Sequence, residues 1–218
     1  IDFKYAGRGT HGEDCFSAIE NGQYSSNYKD TDIYGNTCIG STDDSIEADG
    51  SDINTRIWGN TIYNSNLAVS FGTAQVGPVY YFRNVNYDLK FHWTGCVGIK
   101  EGRTGDAFVY VYHNTFYLAD PTGTCGSTFI IADSADKPAS KNIYMRNNVF
   151  FFGSQTADSR YTRLTDTYSG VDLDYNLIWD HDLALRGSAG NFARYILTNE
   201  YSSFAVWRAA RPEAEPHG

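Results

Sequence analysis

Apolar and polar positions alternate with period two in short stretches along this chain, and the stretches recur around an asparagine. An extended apolar run followed by a short apolar pair brackets Asn36, Asn60, Asn84, Asn114, Asn147 and Asn176, at successive gaps of 24, 24, 30, 33 and 29 residues. Each unit holds two or three β-branched or aromatic stretches separated by Gly, Asp, Asn and Ser clusters. A sustained helical period is suggested only near 200–210. A unit this short cannot bury its own apolar face, so neighbouring units must stack, each strand pairing with its counterpart in the next turn. The pattern therefore predicts an all-β chain wound as a parallel β-helix of about six or seven coils. The repeated Asn suits such a coil, since it tolerates a left-handed turn and stacked amides can hydrogen-bond along the axis.

Counting back from each Asn sorts the strand into columns. Three residues before it stand Ile33, Ile57, Tyr81, Val111, Tyr144 and Leu173, read as inward. Two before stand Tyr34, Trp58, Phe82, Tyr112, Met145 and Asp174, and four before stand Asp32, Arg56, Tyr80, Tyr110, Ile143 and Asp172; both columns are read as outward. The position just before the Asn carries Arg83, His113 and Arg146 on three successive coils. Aromatic rings beside guanidinium groups suit a sugar groove, because pyranose rings stack on aromatic faces and Arg grips carboxylates bidentately. Trp58, Tyr80, Phe82 and Tyr110, with Arg56, Arg103 and Arg146, are the candidate substrate contacts. Like residues stacked merely to protect the sheet are the structural alternative.

A second cluster lies at 43–52, where Asp43, Asp44, Glu47, Asp49 and Asp52 crowd together. Alternation points Ile46 and Ala48 inward and Glu47 and Asp49 outward. Asp44, Glu47 and Asp49 then offer hard oxygen ligands for Ca²⁺. Paired carboxylates could equally serve glycoside hydrolysis, or the segment could be a solvated Asp-rich turn. Further on, Lys100 and Arg103 precede the strand bearing Tyr110, Tyr112 and His113. A polysaccharide lyase must neutralise a uronate carboxylate, remove the neighbouring carbon-bound proton and protonate the leaving oxygen. Lys100 as base, His113 or Tyr112 as proton donor, and Arg83 or Arg146 as clamp form that set. A surface link from Lys100 to Glu101 or Asp106 is the alternative.

Composition narrows the classes. Aromatic residues are 16% of the chain, and 17 basic against 26 acidic residues give a net charge of −9, which disfavours nucleic acid. No apolar run approaches the roughly 20 residues that cross a bilayer. The start at Ile1 without a Met suggests a mature product or an excised piece. Cys15 and Cys38 are about one coil apart, as are Cys96 and Cys125, which fits disulfides and an oxidising compartment; four unpaired thiols remain the alternative.

The stretches DDSIEADGSDINTRIWGNTI (43–62), GPVYYFRNV (77–85), IKEGRTGDAFVYVYHNTF (99–116) and SSFAVWRAA (202–210) resemble the secreted bacterial right-handed parallel β-helix proteins of the pectate-lyase-like superfamily. The resemblance covers most of 30–210. It implies binding or cleavage of an acidic polysaccharide such as pectate, alginate or glycosaminoglycan, with Ca²⁺ and a Lys or Arg base. The Glu47-Ala48-Asp49 stretch is similar to the acidic metal-binding triplet of alginate and chondroitin lyases. There a catalytic Lys follows closely, whereas here Asp52 and Asn54 follow and Lys90 is the next Lys. The expectation is one β-helix domain over 1–218, with an irregular start to about residue 30, regular coils over 31–180 and a partly helical cap over 181–218. It is expected to be secreted, extracellular or periplasmic. The preferred activity is β-elimination on a uronate polymer; a hydrolase using paired carboxylates and a non-catalytic glycan-binding or matrix module are the rivals.

Overall fold

The computed structural model describes residues 2–4, 14–17, 28–72, 74, 76–89, 97–101, 106–118, 127–131, 142–152, 160–164, 171–180, 193–195, 199–201, 204–212 and 216–217. After β1 (Asp2–Lys4), each turn contributes three short strands. They are β2 (Asp32–Tyr34), β3 (Thr37–Ile39) and β4 (Asp44–Glu47); then β5 (Thr55–Trp58), β6 (Thr61–Tyr63) and β7 (Leu67–Ser70); then β8 (Val79–Phe82), β9 (Val85–Tyr87) and β10 (Val97–Glu101). There follow β11 (Val109–Tyr112), β12 (Thr115–Leu118) and β13 (Ser127–Ile131); β14 (Ile143–Arg146), β15 (Val149–Phe152) and β16 (Arg160–Leu164); and β17 (Val171–Asp174), β18 (Leu177–Asp180) and β19 (Ala193–Tyr195). A last strand, β20 (Asn199–Tyr201), and a helix, α1 (Phe204–Ala210), complete the elements among the described residues.

The strands before each Asn form one sheet, β2-β5-β8-β11-β14-β17. Those after it form a second, β1-β3-β6-β9-β12-β15-β18, and the third runs β4-β7-β10-β13-β16-β19-β20. All neighbours are parallel except β19 with β20. The protein is thus a parallel β-solenoid. Among the described residues no helix is long and apolar enough to cross a membrane.

Alternation places Ile33, Ile57, Tyr81, Val111, Met145 and Leu173 inside, all buried. The ring of Tyr81 fills a core position only because its hydroxyl donates to Asn86 Oδ1 at 2.6 Å, satisfying a polar atom that burial would otherwise strand. Phe116 and Phe150 stack inside at 5.1 Å, and Trp207 of α1 is buried as well.

Two details of the repeat are corrected by the coordinates. The fifth ladder residue is Asn148, not Asn147: the side-chain chain runs Asn36, Asn60, Asn84, Asn114, Asn148, Asn176, with spacings of 24, 24, 30, 34 and 28. The left-handed turn belongs to the residue before the ladder Asn, namely Gly35, Gly59, Arg83, His113, Asn147 and Tyr175, all at φ between 56° and 64°. Asn147 takes the left-handed position that Asn tolerates, and its neighbour Asn148 takes the buried one. The strand before it consequently shifts by one. Ile143 and Met145 are inward, Tyr144 pairs with Tyr110, and Arg146 pairs with Tyr112 rather than continuing the column of Arg83 and His113.

Cys15 and Cys38 form a disulfide with Cα atoms 6.1 Å apart. It joins residues 14–17 to the first full turn, where Phe16 bridges to Ile46 in parallel and the Glu47 N–H donates to Phe16 O at 2.8 Å. Cys96, Cys125 and Arg103 lie outside the described residues.

Candidate functional site

The outward face of the sheet built from β2, β5, β8, β11, β14 and β17 carries the expected aromatic wall. In one column Tyr34 stacks on Trp58 at 4.5 Å and Trp58 on Phe82 at 6.1 Å. In the other, Tyr80 and Tyr110 lie 5.2 Å apart and Tyr110 and Tyr144 5.3 Å, with Phe108 leaning on both Tyr110 and Tyr144. These separations follow the roughly 4.8 Å rise between turns, so ring faces are turned toward ring neighbours and solvent meets mainly edges and hydroxyls.

Two guanidinium groups on this wall, those of Arg56 and Arg146, are already engaged. Arg56 holds Asp32 through Nε at 2.6 Å and Nη2 at 2.7 Å, and Trp58 Nε1–H donates to the same carboxylate at 3.2 Å. The Arg56 hydrogen bonds keep the Asp32 carboxyl below its ordinary range. Arg146 pairs with Asp172 in the same way, its Nε donating at 3.3 Å. Arg83 and His113 differ. They occupy the same left-handed corner on successive turns, both exposed, directly after Phe82 and Tyr112, whose backbones are paired. No ion pair to either occurs among the described residues. Burial raises the pKa of the neighbouring Tyr112 hydroxyl, Tyr110 adds to this and Arg146 opposes it, so the phenol keeps its proton. Of the four residues proposed for catalysis, Arg83, Tyr112 and His113 share one edge. Lys100 does not join them, since β10 belongs to a different sheet from β8 and β11.

The acidic cluster departs from the solvated, outward arrangement. Asp44, Glu47 and Asp49 are all buried, because the rung at 14–17 lies on one side of β4 and β7 on the other. Glu47 accepts from Ser17 Oγ at 2.8 Å. Asp49 accepts from Ser70 Oγ at 2.8 Å and from the Gly72 N–H, and a Cβ at Gly72 would come within 2.5 Å of Asp49 Oδ2. Lys100 meets Asp44. Burial pushes the Asp44 carboxyl up to about 7 against the opposing pull of Lys100, and pushes Glu47 to about 7 against its Ser17 hydrogen bond. Burial alone would lower the Lys100 pKa, but Asp44 outweighs it and the ammonium is retained. The three carboxylates proposed as one metal triplet are therefore each held by a donor of the protein.

Two features escaped the sequence. Asp14, in the irregular start, joins Asp43 and Asp44 in a group whose ligand oxygens lie within 4.8 Å of one another. A second aromatic file runs three residues after every ladder Asn from Asn60 onward, with Tyr63 on Tyr87 at 4.9 Å, Tyr117 on Phe151 at 4.7 Å and Phe151 on Trp179 at 4.2 Å. Its signal lies in the spacing after the Asn, where aromatic residues recur at the same offset. No family model, curated protein or solved structure matches this chain.

Proposed function

We propose that this β-solenoid cleaves an anionic, uronate-containing polysaccharide by β-elimination at the edge formed by Arg83, Tyr112 and His113. The observation that carries the reading is the pairing state of the cations: Arg56, Arg146 and Lys100 each meet a carboxylate of the chain, whereas Arg83 and His113 stand exposed on adjacent turns. Arg83 pairs with the uronate carboxylate and makes the adjacent C–H more acidic. His113 takes that proton, a C=C bond forms, and the bond from the ring to the glycosidic oxygen breaks. Tyr112, held protonated, delivers its proton to the leaving oxygen. The resemblance to pectate-lyase-like proteins supports this substrate class, and the disulfide supports a secreted or periplasmic site of action. Calcium belongs to this reading only away from these steps, because the acidic residues that suit it stand on another sheet.

A non-catalytic glycan-binding or matrix module is the second reading, favoured by ring faces that cover one another instead of facing solvent. Incubation with pectate, alginate and glycosaminoglycans, followed by ultraviolet absorbance of unsaturated ends, separates the two. The expected result is product from the native chain and none from His113→Ala at unchanged melting temperature. Glycan binding without product from the native chain would favour the module.

A further inference from the structure

The start of the solenoid holds a knot of carboxylates that the proposed elimination does not use. Asp14 comes from the rung that the disulfide ties down, and Asp43 and Asp44 come from the entry to β4. One oxygen from each lies within 4.8 Å of the others. Two ligands of one Ca²⁺ at about 2.4 Å lie no more than about 4.8 Å apart, and every pair of these oxygens meets that condition. A separate observation concerns Asp44. Its side chain is 3% exposed, its Oδ2 is given to Lys100, and its Oδ1 is buried with no donor among the described residues. Asp14 Oδ1 is likewise buried with no donor among the described residues. Stranded carboxylate oxygens of this kind are costly unless a proton or a cation reaches them.

The geometry points to a hard divalent cation of the Ca²⁺ type bound by Asp14, Asp43 and Asp44, pinning the rung at 14–17 to the first full turn. The carboxylates outnumber the one ammonium that meets them, that of Lys100, and this excess favours a cation. Oxygen-only ligands favour Ca²⁺, Mg²⁺ or Mn²⁺ over softer metals, and water completes a shell of six to eight for Ca²⁺. This site is structural and stands independently of the chemistry at Arg83 and His113. It also differs from the Asp44, Glu47, Asp49 set, two of whose members are already held by Ser17, Ser70 and Gly72.

The test strips the full chain with a chelator and titrates it with CaCl₂ alone, read by calorimetry and by thermal melting. One ion per chain is expected, with a rise in Tm of about 5–10 °C at a hundredfold excess over Kd. Asp43→Asn is expected to lose that rise while its metal-free melt is not lowered, and Asp14→Asn serves as the second variant. No heat and no shift at millimolar CaCl₂ would overturn the site. So would a shift that survives in both variants, or one lost in Asp49→Asn but kept in Asp43→Asn.

Discussion

The backbone N–H and the side-chain Nδ2–H of Asn84 both donate to one atom, Oδ1 of Asn114, at 2.9 and 3.1 Å. Asn114 repeats the arrangement toward Asn148, and its own Nδ2 reaches back to Tyr81 O at 2.9 Å. Only an amide side chain offers the acceptor and two donors that this ladder uses. Asn114→Ala strands two buried donors on Asn84 and removes a hydrogen bond from the carbonyl of Tyr81. We expect a loss of about 3–5 kcal/mol in urea unfolding. Asn114→Asp should lose nearly as much at neutral pH, because both Nδ2–H donors vanish. A loss below about 1 kcal/mol would show that the ladder is not what holds the turns in register.

Asp52 links stability to pH. It is fully buried, accepts the Tyr28 N–H on Oδ1 at 3.0 Å, and has no donor for Oδ2 among the described residues. Burial pushes its carboxyl up to about 7, against the pull of the Tyr28 bond. The folded chain thus holds this proton more tightly than the unfolded chain. Its stabilising contribution is complete below about pH 4 and is lost as pH rises through about 7. Between about pH 5 and pH 8 the unfolding free energy should fall by about 3 kcal/mol from this group. Asp52→Asn keeps the Oδ1 acceptor and should flatten that slope; an unaltered slope would assign it to other groups.

Lys100 is given a structural part. Lys100→Met leaves Asp44 buried without its ammonium, and a loss of about 2–3 kcal/mol is expected at neutral pH. Turnover per folded molecule should be unchanged on any polymer the native chain cleaves. A variant that folds normally but cannot eliminate would restore Lys100 as the base.

Trp58 tests whether the wall is a ladder or a sugar platform. Both its neighbours, Tyr34 and Phe82, stack parallel to it. Trp58→Ala removes both ring contacts, with an expected cost of about 1–2 kcal/mol in stability. Affinity for polysaccharide should change less than about twofold, since a sugar would meet the edge of this ring. A large loss of affinity with an unchanged melt would reverse that assignment.

Sequence alone determined the solenoid, the inward column of Ile33, Ile57 and Val111, and the stacking of Tyr80 under Tyr110. Stacked turns must place like residues at like positions, so the repeat is written into the order of residues. The same order left the phase of the fifth turn open, because Asn147 and Asn148 are both amides and only pairing across turns distinguishes the corner from the ladder. It also gave sides without coverings. Alternation put Glu47 and Asp49 on the outer face, but whether water or another segment meets that face depended on the rung at 14–17. The partnership of Lys100 with Asp44 spans 56 residues, and the facing of ring upon ring depends on side-chain angles. Burial and long-range pairing are properties of the assembled turns, so tertiary structure alone decided which cations were left exposed and which carboxylates were brought together.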